Sequence, residues 1–402
     1  LYAPIGYSLA GGGKRLRPAM LLAAADLLGG APEALDFLDA LSVAVRASSK
    51  RREELAAFAF WCRRSRLEAL KNRHACLPPR LGRGLLFHVA PSNVPTMFAY
   101  TYVIGLLAGN ANIIRLSTRR GETEAELCGI LRETLDRPEF ASVKARSSFV
   151  SYGRDDEITT AYLSGCDGRV IWGGDAAVAA MRRLPMPPHA VEVCFPDRWS
   201  LALLSQAHLS ALGEEALAGL AHRFYNDTYL MDQNACSSPQ MVVWLADGGE
   251  AGIRRRWWEA VAKEAQGRYS LGSFQAAQKY ERFCRAAMTM TDPTVVRLDR
   301  YGGNLVYVAQ LSALPTAPLE LKGGFGLFFE CEATALNQLL PMLSAKVQTL
   351  VCAGPEPGDM AAFLAAHRAR GVDRVVHLGQ ALEMDTVWDG RDLIEALSRV
   401  IR

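Results

Sequence analysis

An α/β protein built on a parallel sheet with helices on both faces is what this sequence predicts, and two observations predict it. From about residue 84, short β-rich runs alternate with helical ones in the order βαβαβαβα. The β-rich runs are uniformly apolar rather than alternating, as a sheet covered on both faces requires. In chain order, "GLLFHVAP" reads as a strand, "TMFAYTYVIGLLAG" as a helix and "NANIIRLS" as a strand. "GETEAELCGILRETL" is helical because its apolar residues 127, 130, 131 and 135 fall on one face. The strand "SSFVSY", a helix over about 156–164, the strand "GRVIWGG" and the helix "DAAVAAMRRL" follow.

"HAVEVCF" and "WSLALLS" extend the β-rich region. A second αβ section starts near residue 223, with strands at "QMVVWLA", "LVYVAQL" and "VQTLVCAG". The closing "WDGRDLIEALSRVIR" places Leu393, Ile394, Leu397, Val400 and Ile401 on one helical face, which predicts a terminal helix. No internal repeat or low-complexity linker interrupts the chain.

A length of 402 residues is enough for two domains with a substantial core. The 50% hydrophobic and 22% charged residues are ordinary for a globular protein. A net charge of +3 is small and argues against a dedicated nucleic-acid binder. Nine scattered cysteines without a CxxC pair suit a reducing cytoplasm better than a disulfide framework or a zinc knuckle. No secretory leader pattern opens the chain. Residues 85–114 lack Asp, Glu, Lys and Arg, but Pro91, Asn93 and Pro95 interrupt the run, so a buried helix is expected and not a membrane span.

The first thirty residues stand apart. Their "GGGKRLRP", with Lys14, Arg15 and Arg17, resembles the diphosphate-gripping motif of isoprenyl diphosphate synthases. That family also needs DDxxD motifs to hold magnesium, and the pair Asp155–Asp156 continues as "DDEIT", which does not fit. Residues 1–33 therefore read either as a helical, prenyl-synthase-like remnant or as an amphipathic helix behind a basic turn.

The signatures GxGxxG after a strand, GxxxxGK[ST], GxSxG and HExxH are absent, and seven histidines show no metal-ligand spacing. No metal site is expected. Three stretches carry more. In "FHVAPSNVP" two prolines fix the backbone around Asn93, which suits an amide that stabilises an oxyanion, or else a helix N-cap. "AGNANIIRLSTRR" ends a strand with Arg115, Ser117, Arg119 and Arg120, a cluster fit for a ribose and a phosphate, or else a solvated basic patch. "MDQNACSSPQ" places Cys236 in a turn before a strand.

Together with "VIWGGDAAVAAMR", "VEVCFPDRWSLALLS", "FFE" and "KVQTL", these stretches occur in the order found in the LuxC-type acyl-CoA reductases. Residues 35 to 402 thus resemble that branch of the aldehyde dehydrogenase superfamily. The resemblance implies a Rossmann-type cofactor domain over 34–222, a catalytic domain over 223–378 and a C-terminal helix or arm over 379–402. It implies Cys236 as nucleophile, Asn93 as oxyanion amide, and Glu192 at the position of the hydrolytic enzymes' general base. It further implies Arg115 and Ser117 at the adenosine ribose, Gly173 and Gly174 at the pyrophosphate, and Glu330 at the nicotinamide ribose. Arg115 stands where the superfamily uses lysine, which makes NADPH the expected cofactor. The expected reaction is reduction of a fatty acyl-CoA to aldehyde through an acyl-cysteine. A thioester accepts hydride better than the oxoester a serine would form. An acyl-protein substrate, an acyl-activating or acyl-transferase partner and a homo-oligomer also belong to this expectation. An oxidative aldehyde dehydrogenase and a non-catalytic interaction protein are the alternatives.

Overall fold

The computed structural model describes residues 32–48, 52–74, 78–91, 93–119, 121–316 and 321–401. The basic segment with Lys14, Arg15 and Arg17, and the prenyl-synthase-like reading built on it, lie outside the described residues. The chain divides into two units. One runs to Pro196 and resumes at Met384, and the other is Asp197–Glu383.

In the first unit, helices Pro32–Ser48, Glu53–Trp61 and Arg64–His74 precede the sheet. The strands are β1 (Arg80–Gly82), β2 (Leu85–Val89), β3 (Ala111–Leu116), β4 (Ser147–Ser151), β5 (Gly168–Trp172) and β6 (Val191–Phe195). Strands β2 to β6 form one parallel sheet in the order β4-β3-β2-β5-β6. Successive side chains of a strand point to opposite faces, so an apolar strand feeds two cores. Leu86, Val170 and Trp172 join one cluster with the helices Met97–Leu107 and Glu122–Leu135. Leu85 and Phe87 join another with Leu163 of the helix Asp156–Leu163, and Ile171 packs with Val178 of the helix Asp175–Arg182. Each fully buried Leu, Ile or Phe in these layers stabilises the unit by about 1.5–3 kcal/mol. The uncharged run expected to be a buried helix is one: Met97 to Leu106 are all buried.

The second unit carries β7 (Trp199–Ser205), β8 (Pro239–Leu245), β9 (Val295–Tyr301), β10 (Val306–Leu311), β11 (Leu327–Ala333), β12 (Val347–Ala353) and β13 (Arg374–His377). Their order is β13-β12-β7-β8-β11-β10-β9, parallel except for β9, which runs antiparallel to β10. The division falls between Pro196 and Asp197, not between 222 and 223 as expected. The reason is β7, which is hydrogen-bonded to β12 on one side and β8 on the other. The helix Glu214–Thr228 also buries Leu217, Leu220 and Phe224 with residues of that sheet.

The closing segment corrects a second expectation. In place of a terminal helix there is a short ribbon of β14 (Val387–Trp388) and β15 (Arg391–Asp392), and a helical turn at Leu393–Ala396. The last strand, β16 (Ser398–Val400), pairs antiparallel with β1. Arg80 donates through Nε to Ser398 Oγ at 2.7 Å and through Nη2 to the Glu395 carbonyl at 2.8 Å, a backbone acceptor that a longer helix would have used. Leu393, Ile394 and Leu397 are buried as the pattern asked, whereas Val400 and Ile401 are exposed. No helix among the described residues is long and apolar enough to cross a membrane.

Candidate functional site

In the first unit the strand order reverses beside β2, so its topological switch point lies between β2 and β5, where open α/β sheets bind ligands at the strand C-termini. Five of the residues singled out above sit on this edge. Asn93 is exposed in the bend after β2, Arg115 and Ser117 close β3, and Gly173–Gly174 follow β5. Thr96 occupies the N-cap of the helix Met97–Leu107, so the N-cap reading of Asn93 does not hold. Ala90 N–H donates to the Arg115 carbonyl at 3.1 Å, tying the Asn93 turn to the end of β3.

The Arg115 guanidinium lies 4.7 Å above the Tyr152 ring and donates through Nη2 to the carbonyls of Tyr152 (3.3 Å) and Gly153 (2.9 Å). Tyr152 stacks on Tyr162, which stacks on Phe87, so Arg115 ends an aromatic ladder and is not part of a freely solvated patch. Ser117 Oγ accepts from Arg119 N–H at 3.1 Å, while Arg120 is outside the described residues. Gly174 is the N-cap of Asp175–Arg182 and supplies no capping side chain. A Cβ on Gly173 would come within 3.3 Å of Ala177 Cβ. A side-chain-free turn leading into a helix N-terminus at the switch point fits a dinucleotide's diphosphate.

A buried polar chain fastens this edge from below. His88 on β2 is fully buried, with Nδ1 2.8 Å from Thr101 Oγ1 and Nε2 3.0 Å from Asn112 Oδ1. Trp172 Nε1 donates to the same Thr101 hydroxyl at 3.1 Å. The chain therefore joins β2, β3, β5 and the helix Met97–Leu107. Burial pulls the His88 imidazole down to about 4, so it is neutral near pH 7.

Glu192, on edge strand β6, is held by two arginines. Arg169 donates to its Oε2 (Nε 2.7 Å, Nη2 2.5 Å) and Arg182 Nε to its Oε1 at 2.6 Å. Burial pushes this carboxyl up, but donation from Arg182, Arg169 and Cys194 outweighs it and holds the group below the usual carboxylate range. Arg169 Nη1 also donates to the Met181 and Leu184 carbonyls at 2.7 and 3.1 Å, so the pair clamps the end of the helix Asp175–Arg182 to β5 and β6. A carboxylate committed in this way is a poor proton acceptor.

In the second unit, Cys236 is half-buried in the turn that enters β8. Among the described cysteines, only Cys236 and Cys284 are not buried. Burial pushes the thiols of Cys166 and Cys352 up to about 12 and that of Cys194 up to about 11. Asp232 and Gln233 turn the chain at φ of 52° and 60°, a left-handed backbone that needs local bonds to hold it. Those bonds are present. Gln233 Nε2 donates to the Pro239 and Leu327 carbonyls (2.9 and 3.0 Å), and its Oε1 accepts from Gly324 and Gly326 N–H (3.1 and 3.2 Å). Asp232 accepts from the Tyr269 hydroxyl at 2.6 Å, and Gln240 donates to the Gln233 carbonyl at 2.8 Å. Ser200 Oγ donates to the Cys236 carbonyl at 2.6 Å.

Glu330 is buried on β11, where Trp244 Nε1 (2.9 Å) and Trp258 Nε1 (2.8 Å) both donate to its Oε2. Its surroundings are indoles of the core. No group of metal-ligating side chains occurs among the described residues. His88, Arg169, Ser200 and the bonding role of Gln233 carry no sequence signal, because each acts through partners distant along the chain.

Three comparisons bear on this arrangement. The family model described as acyl-CoA reductase (LuxC) matches residues 41–264, more than half of the chain. A long-chain acyl-protein thioester reductase of Vibrio harveyi is 28% identical over 174 residues, covering 43% of this chain and 34% of its own length. The alignment thus spans about a third of that relative. An NAD-dependent benzaldehyde dehydrogenase from Corynebacterium glutamicum matches with a TM-score of 0.61 at 14% identity, over 96% of this chain and 88% of that one. A proline utilization A variant of Bradyrhizobium japonicum matches with a TM-score of 0.63 at 14% identity, over 96% and 42%. At such identities the likeness establishes the aldehyde dehydrogenase-like fold alone.

Proposed function

Because this chain belongs to the acyl-CoA reductase (LuxC) family, we propose that it reduces a fatty acyl thioester to the aldehyde through an acyl-Cys236 intermediate. The observation that carries this reading is the half-buried Cys236 thiol on a turn whose backbone is held by Ser200, Gln233 and Gln240. The Cys236 thiolate attacks the acyl carbonyl of the donor and displaces the donor's thiolate, so one thioester replaces another at little net cost. Asn93 supplies an amide N–H for the oxyanion of the tetrahedral intermediate. The acyl donor is an acyl-CoA or an acyl-protein, the second in keeping with the name of the Vibrio harveyi relative. An acyl-activating or acyl-transferase partner and a homo-oligomer belong to the same proposal.

Gly173, Gly174 and the first turn of Asp175–Arg182 would hold the diphosphate of a nicotinamide dinucleotide, Ser117 the adenosine ribose and Arg115 the 2′-phosphate of NADPH. When bound, this group supplies the hydride that converts the acyl-Cys236 thioester to aldehyde. Glu330 remains the candidate for the nicotinamide ribose, with Oε2 already committed to two indoles. The two-arginine hold on Glu192 favours reduction over oxidation of an aldehyde, because oxidative turnover needs a base to activate water.

The test is a panel of acyl-CoA substrates with NADPH and with NADH, with products identified. Without reductant the enzyme should accumulate a label sensitive to neutral hydroxylamine, and NADPH should discharge it as aldehyde. Cys236→Ala should neither label nor reduce. Persistent label in that variant would move the nucleophile elsewhere and end this reading.

A further inference from the structure

We propose that Ser200 is a positioning residue for Cys236, an inference that rests on the reading of Cys236 as the nucleophile. Ser200 is fully buried near the start of β7, opposite Pro239 of β8. Its hydroxyl donates to the carbonyl of Cys236 itself at 2.6 Å and accepts from Thr349 N–H of β12 at 3.1 Å. A carbonyl can only accept, so the hydroxyl hydrogen goes to Cys236 and a lone pair of the same oxygen accepts from Thr349 N–H.

The ladder around this point is irregular. The β12–β7 register shifts between Val347 and Leu350, and the β7–β8 register shifts between Ser200 and Leu201. Such irregularities re-aim side chains and are frequent beside active sites. Here Thr349 N–H bonds to the Ser200 hydroxyl within the slipped stretch. The serine thereby extends the anchoring of two strands to the peptide that follows the nucleophile.

A peptide unit is planar, so pinning its oxygen sets ψ of Cys236. Side-chain rotamers depend on φ and ψ, so the same bond restricts where the thiol points. Water does not compete for a hydroxyl that is fully buried, and loss of the hydroxyl would remove one hydrogen bond from the Cys236 carbonyl and one from Thr349 N–H.

The test compares Ser200→Ala and Ser200→Thr with the intact chain by two readouts. The first is the rate of Cys236 alkylation by iodoacetamide across pH, quantified by peptide mass spectrometry with Cys284 of the same molecule as reference. The second is steady-state reduction of an acyl-CoA by NADPH. Ser200→Ala should slow Cys236 alkylation relative to Cys284 and lower kcat, each by roughly ten- to a hundred-fold, with the acyl-CoA KM within a few-fold. Ser200→Thr, which keeps the hydroxyl, should recover most of both. If Ser200→Ala does not fold, Ser200→Cys retains the volume with a weaker donor and should show a smaller loss in the same direction. The proposal is overturned if Ser200→Ala alkylates and turns over like the intact chain, if Cys284 slows equally, or if threonine does not rescue. Alkylation needs neither substrate nor cofactor. Turnover by Cys236→Ala would therefore sink the nucleophile reading while the alkylation ratio still decides whether Ser200 orients that thiol.

Discussion

Acid should loosen the first unit through His88, and the size of the effect follows from its surroundings. Asn112 Nδ2 donates to the Asn110 carbonyl at 3.0 Å, which turns Asn112 Oδ1 toward His88 and makes Nε2 a donor. Nδ1 then accepts from Thr101, and Thr101 accepts from Trp172 Nε1. A second proton on the ring would place a cation in a fully buried site, and desolvation disfavours it there. The imidazole accordingly titrates at about 4 in the folded protein, against an ordinary value near 6.5. The folded state refuses a proton that the unfolded state takes up, so this contribution to stability is present above about pH 6.5 and is lost as pH falls toward 4. The full difference is worth about 3 kcal/mol, and roughly 2 kcal/mol of it is gone by about pH 5. For a unit of this size that corresponds to roughly 4–8 °C in Tm. His88→Gln removes the titration, so the Tm gap between the intact chain and this variant should narrow by that amount between about pH 7.5 and pH 5. Other titrating groups cancel in the difference. A gap that does not change with pH would refute the argument and mean that the ring is hydrated or protonated in the fold.

Glu192→Gln should retain acyl-CoA reduction within a few-fold and lower Tm through the weakened arginine clamp, at a cost of about 1–3 kcal/mol; a loss of activity beyond about a hundred-fold would restore Glu192 as a catalytic base. Arg115→Ala should weaken NADPH more than NADH, since a guanidinium pairs with phosphate; an unchanged ratio of the two affinities would assign the 2′-phosphate to another residue. Asn93→Ala should slow acylation and reduction by roughly a hundred- to a thousand-fold, as the loss of an oxyanion donor does, and a smaller effect in single-turnover labelling would remove it from that role. Gly105→Ala would bring a Cβ to 1.9 Å from Asn112 Oδ1 and 3.2 Å from His88 Nε2. It should destabilise the first unit by about 1–3 kcal/mol in a urea titration, and a neutral effect would show that the polar chain is free to move aside.

The order of strands and helices from β2 to β6 is legible from sequence because this part of the sheet carries helices on both faces. Each strand therefore appears as a continuous apolar run between turn residues, from "GLLFHVAP" to "HAVEVCF". The turns that end β2, β3 and β5 are legible for a related reason. Their prolines, arginines and paired glycines are local features, and strand C-termini are where such features meet a ligand. Local sequence also places Cys236 in a turn before a strand.

Where the chain changes units is a different kind of question. "WSLALLS" is as apolar as "HAVEVCF", and nothing within either run says that one pairs in the first sheet and the other in the second. That depends on which partners offer backbone hydrogen bonds, and for β7 these are β12 and β8, far along the chain. The closing segment shows the same limit: its apolar spacing is helical, yet Arg80, more than three hundred residues away, bonds to Ser398 and Glu395, and β1 pairs with β16. Site roles divide in the same way. A residue type at a turn announces chemistry, but the charge it carries depends on neighbours. Glu192 stands where the resemblance implies a base, and in the fold it is ion-paired with Arg169 and Arg182. The sequence by itself determined the fold class, the turns that end β2, β3 and β5, and the turn that carries Cys236. Tertiary structure decided the unit boundary, the bracing of Cys236 by Ser200 and Gln233, and the neutral state of His88, because hydrogen bonds and desolvation act between groups that only folding brings together.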